Sequence, residues 1–167
     1  KVRLSDGAVV GLEALIRWRH PERGWVSPGE FIPLAEETGV IFQLTRWVLE
    51  RCLRDLGELL AEQPHLDLSI NISARDLLHG DLADQIDTLL KYRPVAAHRI
   101  TLELTETAAM EEPQSGLEAL RKLAAVGLGL AIDDFGSGYS SLSYLKQLPA
   151  TEIKLDRSLV TDVCASD

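Results

Sequence analysis

The sequence predicts an α/β fold of about six strands, on three observations. Strand and helix periodicities alternate along most of the chain, the strands are apolar on both faces, and the polar residues that interrupt them recur at their carboxyl ends. A run such as Leu-Gly-Leu-Ala-Ile at 128–132 fits a parallel strand covered by helices rather than a half-wet sheet.

The elements follow in order. Val2 to Leu4 and Val9 to Trp18 are apolar runs separated by Ser5-Asp6-Gly7, which predicts an opening hairpin. Pro28-Gly29-Glu30 starts a short helix through Glu37, and Gly39 is placed to stop it. Leu44, Trp47, Val48, Leu53, Leu56, Leu59 and Leu60 then mark a longer amphipathic helix, with Pro64 just beyond its end. From there the βα rhythm is regular. A strand is expected from Leu66 to Ile72 and a helix from Leu82 to Leu90, then a strand from Ile100 to Leu104 and a helix from Gly116 to Ala125. Strands from Leu128 to Ile132 and from Ile153 to Leu155 complete the series.

Composition narrows the function. Lys and Arg total 17 against 26 Asp and Glu, a formal charge of −9, which argues against non-specific binding to DNA or an anionic membrane. Hydrophobic residues at 46% and charged residues at 26% are ordinary for a packed domain, and the length suits one. No apolar run approaches the roughly 20 residues that span a bilayer, and no signal-peptide pattern opens the chain. Two cysteines, Cys52 and Cys164, make neither a disulfide framework nor a metal knuckle. The expected setting is cytoplasmic, compatible with a membrane anchor elsewhere in a longer protein. A first residue Lys1 and a helical pattern just beginning at Asp167 suggest such a longer protein.

The strand-end polar residues are the candidate site. Glu13 and Arg17 lie in the second strand, Asn71 ends the third, Glu103 and Glu106 close the fourth, Asp133 and Asp134 close the fifth, and Lys154 lies in the sixth. The carboxyl ends of parallel strands face one mouth, so these residues should converge. Four carboxylates there (Glu13, Glu103, Asp133, Asp134) repel one another unless a cation joins them. With the Asn71 carbonyl the donors are all oxygen, which favours Mg²⁺, Mn²⁺ or Ca²⁺ over zinc. Arg17 and Lys154 suit an anionic substrate, so metal-dependent phosphoester chemistry is the expectation. Glu111 and Glu112 read as a solvated helix start, and His20, His65, His79 and His98 as surface or packing residues.

These residues carry a resemblance. Glu13-Ala-Leu-Ile-Arg17-Trp18, Asn71-Ile-Ser73, Glu103-Leu-Thr-Glu106, Asp133-Asp134-Phe-Gly-Ser-Gly-Tyr-Ser-Ser141 and Ile153-Lys154-Leu-Asp156 resemble, in order, the EAL-domain phosphodiesterases of bacterial cyclic-di-GMP signalling. The resemblance implies a TIM-like (βα)8-type barrel with one antiparallel strand, hydrolysing cyclic di-GMP to linear pGpG with one or two Mg²⁺ or Mn²⁺ ions. It implies that Glu13, Asn71, Glu103 and Asp133 are metal ligands and that Asp134 serves a second metal or the attacking water. Arg17 would hold a substrate phosphate, and Lys154 would orient the water or stabilise charge on the phosphorane. Glu106 and the segment from Asp134 to Ser141 resemble the family's mobile loop and its anchor. Ser137 stands where Thr is usual in that loop and keeps the hydroxyl.

The family barrel has two further strands, with a glutamate after the seventh and a glutamine after the eighth, and a segment that completes its first strand. Residues 1–167 are therefore expected to be a partial EAL domain, lacking the start of the first strand and the last two βα units. Open sheet edges in such a fragment predict a homodimer or swapped assembly, which light scattering tests: a monomer across micromolar concentrations contradicts it. The resemblance also implies a sensory or GGDEF domain in the parent protein. The alternative function is a catalytically inactive cyclic-di-GMP-binding or dimerising regulatory fragment; the intact acids and Lys154 favour the enzyme.

Overall fold

The computed structural model describes residues 1–137 and 142–161. Five parallel strands form a curled sheet, β1 (Gly11–Ala14), β4 (Asp67–Asn71), β5 (Ile100–Thr105), β6 (Gly129–Phe135) and β7 (Glu152–Leu155), hydrogen-bonded in that order. This α/β half-barrel is the predicted fold class. The opening differs in detail. Val2 and Val9 meet in one antiparallel bridge around Asp6 and Gly7, and the apolar run 9–18 divides between β1 and a short strand, β2 (Trp18–His20). β2 pairs with β3 (Gly24–Val26) as a separate antiparallel ribbon. Continuous apolar character hid the break at 15–17, because periodicity reports burial and not where the backbone leaves a sheet.

Helices α1 (Pro28–Thr38) and α2 (Ile41–Glu62) follow, and Gly39 closes α1 in the left-handed conformation at φ 74°. Next come α3 (Ala74–Leu78) and α4 (Leu82–Leu90), with α5 (Glu106–Met110) and α6 (Pro113–Val126) after β5. The short α7 (Leu142–Leu145) and α8 (Arg157–Val160) flank β7. Glu112 is the cap residue of α6, as the solvated helix start predicted.

Alternation along the central strands sends two sets of side chains to opposite faces. Leu68, Ile70, Leu102, Leu104, Leu130 and Ile132 are all but fully buried and join Leu49, Leu60, Leu120 and Leu123 of the helices in one core. The opposite, concave face carries Ser69, Asn71 and Glu103 at alternate positions. Leu130→Ala, in mid-sheet at 1% exposure, is expected to cost about 2–5 kcal/mol. Urea unfolding followed by circular dichroism measures it; a loss under about 1 kcal/mol would mean that the site collapses around the deletion.

Candidate active site

Register brings distant acids to one mouth. Glu13 lies level with Ser69, Asn71 with Glu103, and Thr105 with Asp133, so successive strands step the polar side chains towards their carboxyl ends. Glu13, Glu103 and Asp133 each present an oxygen, and the three lie within 4.8 Å of one another. The Lys154 ammonium stands among them. Its Nζ donates to Glu103 Oε2 at 2.7 Å and to Asp133 Oδ2 at 2.6 Å, and lies 3.7 Å from Glu13 Oε2. Asn71 joins from β4: its Nδ2 donates to Glu13 Oε1 at 3.1 Å, which leaves Oδ1 as its acceptor.

The electrostatics follow from burial. Glu103 is 0% exposed, whereas the side chains of Glu13 and Asp133 keep 32% and 21% of their exposure. Burial alone would raise the Glu103 carboxyl, but hydrogen bonds from Lys154, Ser69 and Lys1 outweigh it and hold it below its ordinary value. Burial likewise opposes the Lys154 charge, and Asp133 and Glu103 together overcome it and raise its pKa. The cluster is thus already arranged around one cationic group. Three carboxylates and an amide oxygen also suit a hard divalent ion.

Asp134 lies outside that tight triad. A bulge between Ile132 and Phe135 interrupts the pairing of β6 with β7, and Asp134 takes a left-handed φ of 52°. Its amide donates to Asp133 Oδ1 at 2.8 Å, and the Ser137 amide and hydroxyl bond its carbonyl at 3.1 and 2.7 Å. Partial burial, then the nearby charges of Asp133 and Asp156, push its carboxyl up. Glu106, 2% exposed, accepts the Gly136 amide on Oε2 at 2.7 Å, which ties the start of α5 to the turn after β6. Gly136 has φ 96°, a left-handed backbone that strains any residue with a Cβ, and a Cβ there would also press on the Leu159 side chain. The rest of the predicted loop, 138–141, and Cys164 lie outside the described residues. Cys52 is a free thiol.

Beside the acids a cleft of about 1020 Å³ opens between the β1 end and helices α1 to α3. Arg17 lies on its wall, its Nη1 donating, among the described residues, only to the adjacent Ile16 carbonyl at 2.8 Å. Arg75, which sequence reasoning did not single out, lines the same cleft, and no hydrogen bond or ion pair engages its guanidinium among the described residues. Ser69 and Lys1 were also missed. Ser69 had a legible signal, since it sits two positions from Asn71 on the same strand face. Among the histidines, His79 packs on Phe42 with ring centres 4.1 Å apart, and His20 meets Trp18 edge-on at 5.5 Å.

The loop that presents Asn71 is fixed from behind. Ser73 and Asp76 form a reciprocal capping box, and buried Asp76 also accepts the Thr45 hydroxyl of α2 at 2.8 Å. Thr45→Val keeps the shape and removes one of the two donors to Asp76 Oδ2, which still accepts the Ser73 amide at 3.0 Å. It is expected to cost about 1–3 kcal/mol in thermal or urea unfolding, and an unchanged midpoint would deny the bond a structural role.

Comparison with known proteins agrees with this geometry. The EAL domain family model matches residues 1–167. Over 165 residues the chain is 42% identical to the bifunctional diguanylate cyclase/cyclic di-GMP phosphodiesterase MucR of Pseudomonas aeruginosa, covering 98% of this chain and 24% of that protein. It is 45% identical over 164 residues to the cyclic di-GMP phosphodiesterase NbdA of the same organism, covering 98% and 21%. Among solved structures it superposes on a MucR phosphodiesterase in complex with c-di-GMP with a TM-score of 0.89 at 41% identity, covering 99% of this chain and 67% of that one. The EAL enzyme Bd1971 bound to cAMP and cyclic di-GMP gives a TM-score of 0.88 at 32% identity, covering 99% and 46%. The chain therefore spans about a quarter of the length of these curated relatives.

Proposed function

The chain belongs to the EAL domain family, and from that membership we propose that it hydrolyses cyclic di-GMP to linear pGpG with Mg²⁺ or Mn²⁺ at the Glu13–Glu103–Asp133 cluster. The observation that carries the proposal is the convergence of those three carboxylates around one cationic group at the edge of a cleft lined by Arg17. Glu13, Asn71, Glu103 and Asp133 would hold the ion, which supplies Lewis-acid charge for a phosphodiester and acidifies a water.

The remaining steps belong to the chain's own side chains. Arg17, bonded among the described residues only to a backbone carbonyl, can turn to a substrate phosphate in fork geometry. Asp134, beyond the triad, would orient the attacking water or take part in a second ion site. Lys154 keeps its proton through its carboxylate partners and offers fixed positive charge where negative charge develops on phosphorus. Glu106 would anchor the loop after β6 through Gly136.

Residues 1–167 are read as part of one EAL domain of a cytoplasmic signalling protein, with sensory or GGDEF domains elsewhere in the parent and a homodimer as its assembly. No described helix is long and apolar enough to cross a membrane. The direct test is chromatography of the protein incubated with cyclic di-GMP and Mn²⁺, with and without EDTA. EDTA-sensitive pGpG is expected; turnover that survives EDTA would remove the metal from the reading, and no turnover at any metal concentration would refute hydrolysis by this chain.

A further inference from the structure

Glu103 is fully buried, and its two oxygens meet different cations. Oε2 bonds Lys154, while Oε1 lies 3.1 Å from the ammonium of Lys1. Lys1 is held in turn by Glu152, whose two oxygens accept from its Nζ at 2.7 and 2.8 Å. Lys1 belongs to the opening hairpin, where its carbonyl accepts the Val10 amide at 3.0 Å, and its side chain crosses β1 at Gly11 to reach the interior. A Cβ on Gly11 would touch Lys1 Cβ and Cδ and the Asp67 carbonyl, each at 3.4 Å, so the glycine leaves the passage that the lysine stem fills. Charges therefore alternate beneath the acids, from Glu152 through Lys1 and Glu103 to Lys154.

We infer that Lys1, anchored by Glu152, is a positioning residue for Glu103: it holds Oε1 from below so that Oε2 is presented to a cation at the mouth. The inference rests on the proposed metal site. A lone ammonium under that site would repel a divalent ion, but Glu152 offsets its charge at hydrogen-bond distance, so the pair orients Glu103 without adding net positive charge. Partners of this kind behind a metal ligand change affinity because they fix the ligand's direction and basicity.

Mn²⁺ binding measured by titration calorimetry tests this on the parent protein, on Glu103→Gln and on the double variant Lys1→Met/Glu152→Gln. The double variant leaves net charge unchanged, so a change in affinity reports the lost hold on Oε1 rather than lost attraction. Affinity about tenfold weaker, with the fold intact by circular dichroism, is expected; affinity equal to the parent's overturns the inference. Should the double variant not fold, Glu152→Gln alone is read. It frees the Lys1 ammonium and removes its counter-charge, so weaker Mn²⁺ binding is expected and unchanged binding overturns the role. A parent that binds Mn²⁺ no better than Glu103→Gln refutes the metal site itself, whereas a parent that binds well beside an equally competent double variant refutes only the part given to Lys1.

Discussion

Glu13→Ala is expected to abolish metal-dependent hydrolysis of cyclic di-GMP, with kcat/KM falling by at least about 10³-fold, or roughly 4 kcal/mol of transition-state stabilisation. One of the three carboxylate oxygens that converge among the described residues is lost, and with it the acceptor of the Asn71 amide. The fold should survive. Glu13 lies on the edge strand β1 with a third of its side chain exposed, outside the apolar core, where truncation usually changes stability by under about 1 kcal/mol. Steady-state assays with Mn²⁺ held in excess, beside a melting curve, separate the two effects. Turnover at the parent rate would take Glu13 out of the site, and a collapsed melting curve would make it a structural residue.

Lys154→Ala should act differently. Its ammonium is drawn to Asp133 and Glu103, and a divalent ion bound by the same acids would relieve it of that duty and leave its charge for the reacting phosphate. Loss of one preorganised charge at the developing anion is worth about 10²–10³ in kcat, with KM changed far less. Parallel losses in kcat and in substrate affinity would instead assign Lys154 to ground-state binding. Without the lysine the three acids also lose their internal counter-charge, so thermal stabilisation by added Mn²⁺ should be larger in the variant than in the parent. A smaller stabilisation would place the ion elsewhere.

Much of this site was legible before any coordinates. An acid inside an apolar strand, such as Glu103 between Leu102 and Leu104, contradicts its surroundings, and the βα rhythm places each such contradiction at the same end of a sheet. The helix at 82–90 was readable to the residue and Gly39 marked an end that the backbone obeys, whereas the helix expected from Gly116 begins at Pro113. Legibility failed where identity is set by what lies opposite in space. The apolar run 9–18 hid the break between β1 and the ribbon that begins at Trp18, Asp134 lies beyond the three-acid cluster, and Lys1 and Arg75 carry no pattern at all.

The α/β class, the main βα order and the strand-end positions of Glu13, Asn71, Glu103, Asp133 and Lys154 are readable in the chain, because hydrophobic periodicity and strand polarity are local properties of it. Long-range packing sets which oxygen of Glu103 meets Lys154 and which meets Lys1, that Asp76 is bonded to Thr45 from another helix, and that Arg17 and Arg75 share one cleft. Those facts depend on strand register and on the curl of the sheet, and these are fixed by packing between segments far apart in the chain, which no local pattern encodes.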